Sequence, residues 1–383
     1  MAKSIAAKYL LNRASYYFRD LQSYLFLSMT SNTMLLKLEY FAVLSLVIVS
    51  SIFLGCTKYG PVFLQSERSQ YNQAIQKTND EQLLLNLVRL KYHDTPLFME
   101  VHNIASQFTL QNDIGISTQL QAGAKGIFTP DASTFVEESP TISYSPLHGE
   151  NFVQGVLTAV SLKTIVLLFH SGWSVERVFK VCLQRIDKLK NAPGASGPTP
   201  KIAPKTKKFF QAVKYLQKLQ VQGGLNLAYR VSDGEPQLVI HISEAFKNSQ
   251  PANQFARSIN ATIGQTSYIF GAPSVKDKQS IDIVTRSLLG VMFYLSGAVE
   301  VPEQDTVEGR VTVTKTDDGQ VFDWAEITGE LLRIHNSPNP PVDVSLLIFY
   351  RDYWFYINDS DLVSKSTFSL LAQIYALQAK KEG

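Results

Sequence analysis

Two cysteines in 383 residues leave no room for a disulfide framework, so the folded part must be held by its hydrophobic core. Metal ligands are sparse as well. The six histidines, His93, His102, His148, His170, His241 and His335, include no H-x-x-x-H or H-E-x-x-H pair, and Cys56 and Cys182 lie far apart, so no local zinc spacing exists. Neither a metal nor a cofactor is expected. Nucleophile motifs are missing too. Gly172-Trp173-Ser174 continues as Val175-Glu176, which breaks the G-x-S-x-G elbow, and Ser174 reads as a helix N-cap. His148-Gly149-Glu150 sets a base beside an acid, but its place ahead of an apolar run reads as a turn and cap. No catalytic residue is assigned. Charge of one sign is also lacking. Residues 1–55 hold five of the 36 Lys/Arg and two of the 33 Asp/Glu, so the remaining 328 residues carry 31 of each. No basic excess is left to bind nucleic acid.

What the chain does have is an uncharged apolar run, Phe41–Leu54, preceded by Lys37 and followed by Gly55-Cys56. It has the length of a secretory h-region, about 7–15 residues. Its end resembles the lipobox of bacterial lipoproteins. Gly55 and Cys56 fit, while Phe53 and Leu54 stand where leucine and a small residue are usual. The expected outcome is cleavage before Cys56 and fatty acylation (palmitate) of that cysteine. An uncleaved helix is the alternative; spanning needs about 20 apolar residues, and Glu39 cuts the run short. Met29 and Met34 offer start sites nearer the run than Met1. Thr57 follows the cysteine where inner-membrane retention favours Asp, so the expected location is the outer membrane, facing the periplasm. Expected organisation is a removed segment 1–55, a short tether 56–65 with Gly60-Pro61 as breaker, and one domain over 66–383. Within it, Asn191–Pro204 is Pro/Gly-rich and reads as an accessible loop.

The pattern of the mature chain predicts an α+β fold, with mainly antiparallel strand pairs and helices in blocks. Glu67–Tyr92 reads as two helices or one broken helix, with Thr78 or Asn79 capping the second half. Leu97–Val101, Phe108-Thr-Leu, Ile114-Gly-Ile and Thr141–Ser145 form a strand-rich stretch. Helices follow at Gly149–Val160, Ser161–His170, Ser174–Leu189 and Thr206–Leu219. A hairpin turns at Ser232-Asp233-Gly234 between Leu225–Val231 and Pro236–Ile242. Thr266–Phe270 reads as a strand and Gln279–Ser296 as a long helix. Arg310–Thr316 and Gln320–Phe322 flank Asp317-Asp318-Gly319 as another hairpin. Val344–Tyr350 and Tyr353–Ile357 pair around Arg351-Asp352, and Ser364–Ala379 closes the chain as a helix. That last unit reads as a structural keystone, with Leu346, Ile348, Trp354 and Tyr356 packed on Phe368 and Leu371.

Two polar features are weighed for chemistry. Cys182 falls on an apolar helical face, as a buried small hydrophobe rather than a reactive thiol. Asn358-Asp359-Ser360-Asp361 places oxygens at alternate positions like a calcium loop, yet lacks the glycine and distal Glu of an EF-hand. Asp361 or Ser364 capping the last helix is the preferred reading. The neighbouring aromatics Tyr353–Tyr356 suit either a buried sheet face or a glycan.

Four segments in order carry a family resemblance: Tyr71-N-Q-A-I with Glu81-Q-L-L-L-N-L-V-R-L-K-Y-H-D-T-P-L-F, then Tyr144-S-P-L-H-G-E-N-F, then Ser171-G-W-S, and Tyr353-W-F-Y-I-N-D-S-D-L-V-S-K-S-T-F-S-L-L. Together they span roughly residues 66–378 and resemble a family of uncharacterised bacterial lipoproteins. The resemblance implies export and lipidation at Cys56, and it transfers no catalytic residue. The expected function is that of a non-enzymatic binding or assembly component of the cell envelope. Its partners would be the membrane, through the anchor, and an envelope protein. The alternative is an envelope hydrolase or glycan-processing enzyme with dispersed residues, recognisable by two close carboxylates or a Ser–His pair in a cleft.

Overall fold

In this computed structural model the structure describes residues 43–46, 59–119, 127–146, 150–272 and 280–379. Cys56 and His148 lie outside them. The chain divides into two units, residues 1–73 and 74–383. In the first, residues 43–46 are helical and exposed. The second is α+β, with mixed and antiparallel sheets and helices packed about them.

Helix α1 (Tyr59–Lys91) is continuous over 33 residues. The expected break at Gly60-Pro61 does not occur, because a proline in the first turn lacks only an N–H that has no helical partner anyway. Nor does the helix break at Thr78-Asn79, where the Thr78 hydroxyl bonds back to the carbonyl of Ile75 at 3.0 Å and leaves the ladder running. In its second half Leu83, Leu84, Leu87, Val88 and Leu90 are buried, the apolar face expected of this segment.

Strands β1 (Met99–Gln119) and β2 (Ile127–Pro146) pair antiparallel along their whole length and form a sheet of their own. Helices α2 (Glu150–Leu157), α3 (Leu162–His170) and α4 (Val175–Cys182) follow. Ser161 and Ser174 cap the last two through Thr164 and Arg177 amides, as side-chain oxygens do for unpaired first-turn donors.

A six-stranded sheet is ordered β4-β3-β8-β7-β6-β5. Its strands are β3 (Leu183–Ile186), β4 (Leu189–Lys190), β5 (Leu225–Ser232), β6 (Glu235–Ile242), β7 (Ser267–Gly271) and β8 (Ile281–Thr285). All neighbours are antiparallel except β7 and β8. The β5–β6 hairpin turns on Asp233 and Gly234, both at positive φ (52° and 80°), the geometry a two-residue hairpin demands. Helices α5 (Lys207–Val221), α6 (Gln250–Ser258) and α7 (Leu288–Ser296) complete this part.

Two expected helices are corrected here. The one drawn through Leu189 stops at Cys182, and the one drawn over Gln279–Ser296 begins only at Leu288, with β8 ahead of it. One residue accounts for both. Arg286 is wholly buried and lies just after β8. Its Nη1 donates to the carbonyls of Lys180 and Val181, each at 3.1 Å, and of Leu183. Nη2 donates to the Asn191 carbonyl and Nε to Ser196 Oγ at 3.1 Å. The guanidinium thus occupies the end of α4, where orphan carbonyls favour a cation, and it stacks 4.0 Å from the centroid of Tyr294. Burial pulls its pKa down to about 10, which leaves it charged at neutral pH.

Asn191 is buried beside it and donates from Nδ2 to the Lys180 and Leu183 carbonyls at 2.8 and 2.7 Å. The Pro/Gly-rich segment therefore starts inside the protein, with Ala192 and Ala195 also buried, while Pro193, Gly194, Pro198, Lys201 and Ile202 are exposed. Arg310–Phe322 is not a regular hairpin. It contains helix-free turns around Gly319 (φ 84°) and single bridges from Lys315 to Val321 and to Ile202.

Short helices α8 (Glu303–Val307) and α9 (Ala325–Thr328) precede a three-stranded antiparallel sheet, ordered β10-β11-β9. It comprises β9 (His335–Ser337), β10 (Val344–Tyr350) and β11 (Tyr353–Asn358), and α10 (Leu362–Ala379) follows. Phe368, Leu370, Leu371 and Ile374 of α10 are buried against the core. On β11 the inward residues are Phe355 and Ile357; Trp354 and Tyr356, expected inside, are only half-buried. The alternation has the expected period and the opposite phase.

Candidate functional site

The residues singled out for chemistry are dispersed. His93 Nε2 lies 3.2 Å from Thr312 Oγ1, His170 Nε2 is 2.9 Å from the Leu227 carbonyl, and His335 Nδ1 is 2.9 Å from Glu300. His241 Nδ1 meets Ser267 Oγ at 3.2 Å. This Ser–His pair sits across β6 and β7, both residues exposed, and no acid among the described residues orients the ring, as a working triad requires. Ser174 serves as the cap of α4, and its hydroxyl donates to Gln217 Oε1 at 2.6 Å. Cys182 is fully buried with its thiol pushed up to about 12 by burial, which removes the thiolate that reactivity needs.

Asp361 takes both the amide and the hydroxyl of Ser364, at 3.0 and 2.7 Å, and so caps α10. Asp359 is paired with Lys365 at 2.6 Å. The acidic cluster therefore carries its own cation. Among the described residues no group of three His, Cys, Asp or Glu is placed to hold a metal.

Sequence inspection missed Lys91. It ends α1 like an ordinary basic last turn, yet its side chain is only 6% exposed. It opens onto a pocket of about 510 Å³ lined by residues 297–300, 321–325, Thr328, Leu332 and Arg333. Trp324 forms one wall, with the Lys91 Nζ 6.0 Å from its ring centroid, and the indole is held by a 3.0 Å bond from Nε1 to Thr314 Oγ1. Gly297 lets the wall close, since a Cβ there would come within 2.8 Å of Trp324 Cε3. Among the described residues no carboxylate pairs with Lys91. Burial lowers its amine to about 8. A desolvated amine in a cavity can hold an anionic group or act as a nucleophile. Glu300 and Asp323 share the lining.

Next to this pocket in the chain is a clasp. Tyr92 donates from its hydroxyl to Asp305 Oδ2 at 2.5 Å, and Arg310 donates to Oδ1 at 2.8 Å. Burial, reinforced by Asp305, raises the Tyr92 hydroxyl well above its ordinary value. Asp94 meanwhile accepts from Tyr350 and, at 3.0 Å, from Arg351. Every group in the clasp has a partner, so its chemistry is spent on joining α1 to α8 and to the β10–β11 turn.

A second cavity, about 570 Å³, is lined by five lysines including Lys188, Lys190 and Lys208, beside Phe210, Phe322 and Glu326. Lys205, on its rim, is paired with Asp317 at 2.8 Å.

Comparison with protein-family models, curated proteins and solved structures finds no match for this chain.

Proposed function

We propose that this protein is a lipid-anchored component of the bacterial cell envelope that works by binding and assembly. The observation that carries the assembly role is the β1–β2 ribbon. It has strands of 21 and 20 residues and no third strand beside it among the described residues. An isolated two-stranded hairpin is marginal in water, and its outer edges offer rows of unpaired donors and acceptors. A ribbon of this length is a surface built to be covered. The anchor rests on the apolar run ending in Gly55-Cys56 and on the family resemblance of the four segments.

An envelope hydrolase or glycan-processing enzyme is the second reading, and the Lys91 pocket with its two carboxylates is the observation in its favour. The lipid-anchored assembly role is tested at two points. Mass spectrometry of the mature N-terminus should find acylated Cys56, and retention of residues 34–55 would refute the anchor. Chain solubilised from membranes should run as an assembly that dissociates when residues 103–143 are replaced by a short turn. An unchanged monomer before and after would refute the assembly role.

A further inference from the structure

A lysine in the last turn of a helix ordinarily lifts its ammonium into water. Lys91 ends α1 and is only 6% exposed. A buried ammonium is costly unless it is paired and hydrogen-bonded. Among the described residues no carbonyl, hydroxyl or carboxylate accepts from Lys91 Nζ. The amine instead shares the wall of the 510 Å³ cavity with Trp324, whose ring centroid is 6.0 Å away. Methionine or leucine would end the helix without that cost. An unpartnered cation in such a place is explained by something that enters the cavity and carries the missing charge.

The walls define the rest of that molecule. The polar atom of the Trp324 ring, Nε1, is already bonded to Thr314, so the indole lines the cavity as an apolar plane. Phe322 meets it edge-on, with centroids 5.7 Å apart and planes at 82°. Val299 and Leu332 add buried aliphatic surface. An aromatic corner with aliphatic sides suits a flat ring, and the volume is that of a small-molecule pocket.

The charges are sorted by depth. Glu300, Asp323 and Arg333 also line the cavity, and all three are exposed, whereas the ammonium is buried. Both acids are engaged, Glu300 with His335 at 2.9 Å and Asp323 with the Ala325 amide at 2.8 Å. Two basic and two acidic side chains leave the lining neutral before anything binds. One negative charge can settle on the ammonium within this balance. A dianion would bring a second charge to face the acids at the mouth. Burial lowers the amine to about 8, so at neutral pH it is still charged and can hold a carboxylate.

We propose that the Lys91 cavity is a binding site for an aromatic monocarboxylate, its carboxylate accepting from Lys91 Nζ and its ring lying in the corner of Trp324 and Phe322. The site goes beyond the envelope-assembly role and rests on neither reading of function, since no anchor, ribbon or hydrolytic step enters it.

The test is calorimetric titration of the full-length chain in detergent. The probes are phenylacetate and indole-3-acetate, with phenylacetamide, acetate and inorganic phosphate as contrasts. Both aromatic acids should bind at a single site per chain. The amide keeps the ring and acetate keeps the charge, and each should bind at least about tenfold more weakly. Lys91→Met should weaken the aromatic acids by at least about tenfold, with a melting temperature no lower than that of the wild type. Arg333→Gln, exposed at the mouth, should weaken them less than about threefold, because solvent and salt screen its charge. A second readout needs no variant: bound phenylacetate should shield Lys91 from reductive methylation, read by mass spectrometry, and phenylacetamide should not. Failure of both acids to bind at millimolar concentration would overturn the site. Binding that survives Lys91→Met, or that leaves methylation of Lys91 unchanged, would place the ligand elsewhere and overturn the proposal. Amide binding as tightly as acid, or phosphate binding more tightly than either acid, would overturn the ligand class.

Discussion

Asn86 and Leu97 exchange two hydrogen bonds. The Asn86 amide nitrogen donates to the Leu97 carbonyl at 2.7 Å, and the Leu97 amide donates back to Oδ1 at 2.9 Å. One turn earlier Gln82 does the same with Met99. Two side chains at i and i+4 on α1 thus stand in for a neighbouring strand, and they pin the segment that leads into β1. Asn86 is wholly buried. Asn86→Ala would take both partners from the backbone of Leu97, which is exposed enough for water to replace part of them, so the expected cost is about 1–3 kcal/mol in all. Urea denaturation should show a loss in that range, and protection of the Leu97 amide from hydrogen exchange should fall. Unchanged exchange at Leu97 would show that the contact does not hold the ribbon root.

Lys91 makes a prediction about pH. Its folded-state amine, near 8, lies below the ordinary lysine value of 10.5 because of burial. The unfolded chain therefore holds more protons than the folded one between these values, and stability must rise with pH across that window. The cost of burying the charge is fully present below about pH 8 and is relieved as pH climbs toward 10.5. Lys91→Met removes the cost. It should stabilise the protein at pH 7 by about 2–4 kcal/mol, since each tenfold weakening of proton binding by the amine corresponds to about 1.4 kcal/mol, and it should abolish the rise relative to wild type. Parallel stability curves for the two proteins from pH 7 to 10.5 would refute this.

Arg286 predicts an asymmetry between similar residues. Arg286→Lys keeps the charge but cannot reach carbonyls of both α4 and the 191 segment with one ammonium. Arg286→Met removes the charge and leaves the same carbonyls without donors. Both should lose at least about 3 kcal/mol in thermal melting, with little rescue by lysine. Wild-type stability of the lysine variant would mean that charge alone matters there.

Just after the three-stranded sheet, two nearby aspartates should behave differently. Asp361→Ala removes the cap of α10 and should cost about 1 kcal/mol. Asp359→Asn breaks only the exposed pair with Lys365 and should cost about 0–1 kcal/mol. Calcium should leave the melting temperature of the wild type unchanged. A calcium-dependent rise that Asp359→Asn abolishes would make the cluster a ligand site.

Local signals were readable in the chain; distant ones were not. The Asp233-Gly234 turn, the serine cap at 174 and the cap at Asp361 each depend on a few adjacent residues, and they occur where the pattern places them. Leu183-Gln-Arg-Ile continues the helical spacing of α4 without a break. It becomes strand because β8, about a hundred residues later, pairs with it. Lys91 reads as a solvated last-turn lysine until Trp324 and residues 297–300 close over it. Ile281-Asp-Ile-Val-Thr shows the β-branched alternation of a strand, a signal overruled by the apolar run of α7 that follows. On β11 the period was plain, but its phase depends on which face meets the core, and that is a property of the whole sheet.

The pairing of β3 with β8 also sets a schedule. Leu183 meets Thr285, and Arg286 then binds the end of α4. A chain delivered from its N-terminus presents β3 long before its partner exists, and contacts of such separation are slow to form because a long loop must close first. The centre of the sheet consequently stays unmade while the β1–β2 ribbon is already out. During that interval the elements between β3 and β8 have no finished sheet to pack on, so the order of arrival, as much as final stability, bears on whether this body folds correctly.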